Sequence, residues 1–290
     1  MNFRKLVFAA LILVLVVVLG AVALGPKRVV ASGKKKLERS WLILTGGLVD
    51  VGDHRLRVER FGKGSPTVVF EAGLAQPRTS WGRVPKDVAE FAQVVIYDRA
   101  GLGDSDEING RRTSKQTVAE LHAMLKAASI EKPYVLVGHS FGGLNVRLFA
   151  SQFPDEVAGI VLVDASHEDE YKGLAALLSE PKRTEYLQHE GGENYEKVDL
   201  LASADEIRRS TSLKPLPLFV VSAPGKRDSA TDDASAKLHD ELQAALSRLL
   251  PNGSQVIAEN SGHFVQLDRP ELVTNAIRKV VEQARQAQPK

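Results

Sequence analysis

The sequence predicts an α/β fold, a mostly parallel, doubly wound sheet of about eight strands with an inserted helical cap. Three observations predict it. Short, β-branched, nearly continuous apolar runs alternate with segments of helical apolar spacing, the pattern of strands covered on both faces by helices. The alternation breaks once, over about residues 166–213, a polar and helix-prone stretch with no convincing strand. A G-x-S-x-G motif lies between an apolar strand and an amphipathic helix.

Residues 6–25 open the chain with twenty residues that carry no charged or hydrogen-bonding side chain, preceded by Arg4 and Lys5. A helix of that length is about 30 Å long, the thickness of a bilayer's hydrocarbon core. Six cations between Lys27 and Arg39 follow directly and suit a stop-transfer flank. The expectation is a single-pass N-terminal membrane anchor with a basic linker over residues 1–40, its sidedness open. The alternative is a cleaved signal peptide with its apolar stretch at 7–19 and Ala21-Val22-Ala23 as cleavage site, releasing a secreted or periplasmic domain.

Residues 41–290 read as one α/β domain with the cap inserted at about 166–213. Residues 42–49 and 54–61 form a hairpin-like pair around Gly52-Asp53. Residues 67–70, 94–97, 134–137 and 159–163 are the buried parallel strands, and 218–221 and 255–258 add two more. Helical spacing marks 117–128, 240–250 and 271–281, the last opened by Pro270.

Composition narrows function. At 290 residues, 43% hydrophobic and 26% charged, the chain is a packed globular one. With no cysteine there is no disulfide, thiolate metal site or cysteine nucleophile. Residues 1–39 carry a net +7, so residues 40–290 carry −5 of the total +2, and a nucleic-acid surface is not indicated.

The chemistry concentrates at Gly138-His139-Ser140-Phe141-Gly142. A serine on a strained strand-to-helix turn projects its hydroxyl clear of the sheet, with Gly138 and Gly142 where a Cβ would collide with strand or helix. Ser140 then sits at a helix N-terminus, where backbone N–H groups can stabilise an oxyanion. With three further stretches in order, 64–73, 97–105 and Ser261-Gly262-His263, residues 42–285 resemble the α/β-hydrolase superfamily, in the branch with a small helical cap. The resemblance is specific for the fold and weakly so for the substrate.

That resemblance implies site residues. A serine needs an imidazole to take its proton. Of seven histidines, His263 lies in a Ser-Gly-His loop past the terminal strand, where the superfamily keeps its base. His139 is expected to buttress the turn, His122 and His239 to lie on helix surfaces, and His54 and His189 have no motif around them. The acid has two placements between Ser140 and His263. Asp164 ends the strand 159–163, as in some haloalkane dehalogenases. Asp228 stands at the superfamily's commoner G-x-x-D site, in an ambiguous loop with Asp232 and Asp233. Asp164 is favoured. The oxyanion hole would combine the backbone N–H groups of Phe141 and Leu74. Ala72-Gly73-Leu74 replaces the His-Gly-x of many relatives, which removes a bracing side chain but no backbone donor.

Other signals are weaker. Gly101-Leu102-Gly103 lacks the third glycine of a dinucleotide fingerprint, since position 106 is Asp, and Asp98-Arg99 reads as a buried turn brace. The acidic cluster His167 to Glu170 has no second histidine at ligand spacing, so no metal is expected. No motif supports a flavin, pyridoxal phosphate or other cofactor. The expected activity is serine hydrolysis of a carboxylic ester, or a related acyl bond, of a small to medium apolar substrate. Alternatives are amide, thioester or C–C bond hydrolysis, or a catalytically silent binding domain at the membrane. Oligomeric state is open. Epoxide and haloalkane hydrolysis are disfavoured, because those relatives carry Asp where Ser140 stands.

Overall fold

Valine-rich runs become the strands of one eight-stranded sheet. The computed structural model describes residues 45–210, 213–225 and 230–287, within the unit Ser40–Lys290. The proposed anchor at 6–25, residues 42–44 of the first strand and Asp228 lie outside the described residues. Among the described residues no helix is long and apolar enough to cross a membrane.

In chain order the elements are β1 (Thr45–Asp50), β2 (Arg55–Phe61), β3 (Thr67–Glu71), α1 (Val84–Val88), β4 (Gln93–Tyr97), α2 (Ser114–Ala127), β5 (Tyr134–His139), α3 (Gly142–Gln152) and β6 (Val157–Val163). Three short helices follow in the cap, α4 (Glu170–Ala176), α5 (Lys182–Glu190) and α6 (Leu200–Arg208). The chain closes with β7 (Leu218–Ser222), α7 (Ala230–Ser247), β8 (Ser254–Ile257), α8 (Val265–Asp268) and α9 (Pro270–Ala287).

The sheet runs β1-β2-β4-β3-β5-β6-β7-β8. The hairpin β1–β2 is antiparallel and joins β4 antiparallel, and every later pairing is parallel. All residues of β3 and β5 are buried. Alternation splits the core into two layers. Val69, Val95 and Leu136 face α2 and α3 with Leu121, Met124 and Phe149. Val68, Phe70, Val94 and Val137 face α1 and α9 with Val88, Ile277 and Val281.

Topology places the site. The chain passes from β4 on one side of β3 to β5 on the other, a switch point where a crevice opens at the carboxyl ends of the strands. Glu71 pairs with Gly138 and His139 with Val163, so the loop after β3, the turn at Ser140 and Asp164 end side by side. Ser222 pairs with Ile257, which brings the loop after β8 to the same edge.

Several boundaries differ from expectation, α9 for one running on to Ala287. α2 begins at Ser114, because Thr113 and Gln116 form a capping box upstream of the apolar spacing. α7 runs from Ala230, so Asp232 and Asp233 belong to a helix and not to a loop, consistent with the run of helix-favouring alanines at 230, 234 and 236.

Phe149 is fully buried on α3, edge-on to Tyr134 at 6.2 Å and beside Phe153 at 4.9 Å. Phe149→Ala is expected to cost about 3–5 kcal/mol in urea unfolding. A loss near zero would show that this layer collapses around the cavity.

Candidate active site

β5 must turn sharply into α3 at Ser140, and the backbone shows the strain. Ser140 has φ +52°, a left-handed conformation that costs a non-glycine residue about 1–2 kcal/mol. The flanking glycines make the turn possible. A Cβ at Gly138 would lie 2.6 Å from Gly142 O, and one at Gly142 would lie 2.2 Å from Glu71 O. The main chain of Ser140 is stapled to the end of β6: its N–H donates to Val163 O at 3.2 Å, and its carbonyl accepts from Ser166 N at 3.0 Å.

One residue beyond β6, Asp164 also adopts a left-handed φ, +41°, and is 4% exposed. His263 Nδ1 donates to its Oδ2 at 2.7 Å. Its Oδ1 accepts from Ala223 N at 2.9 Å and lies 3.2 Å from His239 Nε2. Burial alone would raise the Asp164 carboxyl, but the hydrogen bonds from His239 and His263 outweigh it and hold the group below the usual carboxylate range. With the Nδ1 proton committed to Asp164, the neutral imidazole of His263 keeps Nε2 as its acceptor. Ser140 Oγ itself makes no hydrogen bond to the ring among the described residues; its main chain shares the edge on which the ring sits. Asp164 and His263 are therefore brought together, while Asp228 has no described position.

His139 buttresses the turn as expected. Fully buried, its ring lies edge-on to Trp81 and 4.7 Å from the ring of His263, and Nε2 donates to His263 O at 2.9 Å. Burial, reinforced by the neighbouring His263, pulls His139 down to about 3. His139 Nδ1 lies 3.2 Å from Gln76 Oε1; a neutral ring that donates through Nε2 is an acceptor at Nδ1, so a hydrogen bond there requires the Gln76 amide in its flipped orientation.

The loop after β3 is held from three sides. Arg99 Nη1 donates to Glu71 Oε1 at 2.9 Å and to Ala72 O at 2.7 Å, and Nη2 donates to Gly73 O at 2.6 Å. Glu196, from the cap, accepts from Arg99 Nε at 2.7 Å and from Ala75 N at 2.8 Å. Tyr97 OH and Asn145 Nδ2 complete the shell around Glu71. Burial pushes Glu71 up against the pull of Arg99 and these donors. Every residue flanking Leu74 is thus fixed, yet the Leu74 and Phe141 N–H groups have no hydrogen-bond partner among the described residues. Phe141 is buried and Leu74 half-buried, and their two N–H groups follow β5 and β3, strands paired side by side in the sheet.

Sequence reasoning placed Asp98 and Arg99 correctly as braces: Asp98 accepts from Arg78 N at 2.6 Å and from Asp104 N at 3.0 Å. It misplaced two histidines. His122 is not on an open surface but stacks on Phe153 at 3.6 Å and reaches Glu156 at 3.2 Å. His239, also expected on a surface, packs against Asp164, because α7 lies over the end of β7. Burial would lower His239, but Asp164 overrides it and pushes it up to about 9. Glu196 was missed, with no motif around it, and Glu71 was not singled out although it lies within the matching stretch 64–73. In the acidic cluster, Glu168 pairs with Arg147 at 2.7 Å and Asp169 with Arg208 at 2.7 Å.

Comparison with known proteins agrees with this fold. Residues 66–190 match the family model for the alpha/beta hydrolase fold. An uncharacterised protein of Bacillus subtilis (strain 168), YqjL, is 30% identical over 224 residues, 75% of this chain and 84% of that protein. An AB hydrolase superfamily protein of Gibberella zeae is 24% identical over 282 residues, 76% of this chain and 87% of that one. A thermophilic esterase from Thermogutta terrifontis has the same fold, with TM-score 0.60 and 20% identity over 83% of this chain and 99% of that chain.

His139 generates a stability prediction. The folded protein resists protonating it until about pH 3, whereas an unfolded histidine protonates near 6.5, so its contribution is full above 6.5 and is lost as pH falls. Between pH 6.5 and 5 the loss is about 2 kcal/mol. Urea unfolding is expected to show a pH dependence that shrinks by about this amount in His139→Gln; an unchanged dependence would contradict a buried neutral ring.

Proposed function

The chain belongs to the α/β-hydrolase superfamily, and on that premise we propose that it is a serine hydrolase cleaving a carboxylic ester, or a related acyl bond, of a small to medium apolar substrate. The observation that carries the reading is the 2.7 Å hydrogen bond from His263 Nδ1 to buried Asp164, formed at the edge where Ser140 is held in a left-handed turn. Ser140 attacks the carbonyl carbon while His263 Nε2 takes its proton. Asp164 holds the tautomer and stabilises the imidazolium without itself accepting the proton. The open N–H groups of Leu74 and Phe141 receive the developing oxyanion, and His263 returns the proton to the leaving group. Water repeats the sequence on the acyl-enzyme.

A cavity of about 260 Å³ opens beside His263 on the side of Asp164, Glu170 and His239, with Leu174, Leu238 and Leu242 in its wall, and Ser140 does not line it. Proteins named as carbamate hydrolase RutD, from Cronobacter sakazakii, Azorhizobium caulinodans and Cronobacter turicensis, share 29–32% identity with this chain over 102–113 residues, 38–42% of their own length, which supports keeping related acyl bonds within the proposal. The apolar run at 6–25 and its cationic flanks support a membrane tether for this activity.

The full-length protein in detergent is expected to react with a fluorophosphonate probe at Ser140 and to hydrolyse p-nitrophenyl acetate and butyrate. Ser140→Ala abolishes labelling, and Asp164→Asn lowers kcat by about 10⁴-fold. Absence of labelling and background turnover in protein that still melts cooperatively would instead identify a silent member of the superfamily.

A further inference from the structure

Asp164 is gripped by two imidazoles, and the mechanism above uses only one. His263 takes Oδ2, while His239 approaches Oδ1 at 3.2 Å from the opposite side. His239 Nε2 also lies 3.2 Å from Ala223 O. Both neighbours of Nε2 are acceptors, so this nitrogen carries a proton in either charge state, and protonation at Nδ1 decides whether the ring is a cation.

The ring is held in place. Its side chain is 24% exposed, and α7, which carries it, is tied down at two further points. Gln243 Nε2 donates to Ala165 O at 2.8 Å, next to Asp164, and Asp240 Oδ1 accepts from Gly225 N at 2.9 Å, after β7. The ionisable groups that face His239 among the described residues are Asp164 from the end of β6, Glu170 from the start of α4 and, across Asp164, His263 from the loop after β8. Burial pushes Glu170 up, which weakens it as a competing anion.

We infer that His239 is a positioning residue for the base: as a cation on the far oxygen of Asp164 it offsets the carboxylate's field at His263 and extends activity toward lower pH. The inference rests on the triad reading above. In a triad with a lone carboxylate, the imidazolium forms beside an uncompensated negative charge. Here the carboxylate is already compensated, so a proton reaching His263 makes the cluster net positive. Protonation of the resting base is disfavoured, and it stays competent in more acid solution. The same cation opposes the imidazolium of the transition state, so the gain in acid range comes with a lower plateau rate.

The test is the pH profile of kcat/KM for p-nitrophenyl butyrate and of fluorophosphonate inactivation, measured on full-length protein in detergent. His239→Gln keeps an N–H near Asp164 and removes the charge. It is expected to move the acid limb up by about one pH unit and to raise the plateau rate, read at a pH where wild-type His239 is still a cation, by about two- to fivefold. His239→Lys, which keeps a cation, is expected to return the limb toward the wild-type position. Superimposable limbs in wild type and His239→Gln, or a plateau lowered equally at every pH in both variants, would overturn the inference and leave His239 as a packing residue. His239→Asn gives the same reading if His239→Gln fails to fold. Wild-type protein that reacts no faster than Ser140→Ala would overturn the triad reading itself, and the inference with it. Labelling confined to Ser140 with an unmoved limb would overturn the inference alone.

Discussion

Asp164 carries its charge at 4% exposure, where an unpaired carboxylate would cost several kcal/mol, and the carboxyl edge of the sheet is arranged to give hydrogen to both its oxygens. Ala223 N–H comes from the end of β7, His263 from the loop beyond β8 and His239 from α7. Three separate chain segments therefore converge on one side chain. The convergence needs the parallel order β6-β7-β8, because only strands pointing the same way deliver all their following loops to one edge. The left-handed backbone at Asp164, adverse by itself, lets the chain leave β6 with the carboxylate turned toward those donors.

A second buried charge system holds the other wall. Arg99 binds Glu71, Ala72 O and Gly73 O on one side and Glu196 of the cap on the other, so the loop carrying Leu74 is fixed to the cap as well as to the sheet. Ala72 stands where many relatives carry a bracing histidine, and the guanidinium supplies bonds to that loop. Its planar fork satisfies several acceptors in fixed geometry, which a lysine could not do. Between them, His139 ties the Ser140 turn to the His263 loop through a single buried N–H, so the two share a support.

Much of this architecture was legible in the residues. Strand runs such as Val68-Val69-Phe70 and Val161-Leu162-Val163 are buried on both faces, and that burial writes itself into composition. The serine turn was legible because steric necessity leaves glycine at 138 and 142. Asp164 could be favoured over Asp228 but not separated from it, since either can follow a strand between nucleophile and base, and the described residues include only the first. His239 and Glu196 were not legible. Each acts across the fold, 75 residues from Asp164 and 97 from Arg99, and long-range pairing of single polar side chains leaves no local periodicity. His122 was misread for a related reason: a histidine on a helix face looks solvent-exposed until a stacking partner such as Phe153 is known.

The measurement that bears most directly on the account is a crystal structure of the protein after reaction with a fluorophosphonate. The account predicts phosphorus bonded to Ser140 Oγ, the phosphoryl oxygen about 2.7–3.1 Å from both Leu74 N and Phe141 N, and His263 still joined to Asp164. An adduct on another residue, or a phosphoryl oxygen turned away from those two N–H groups, would contradict it.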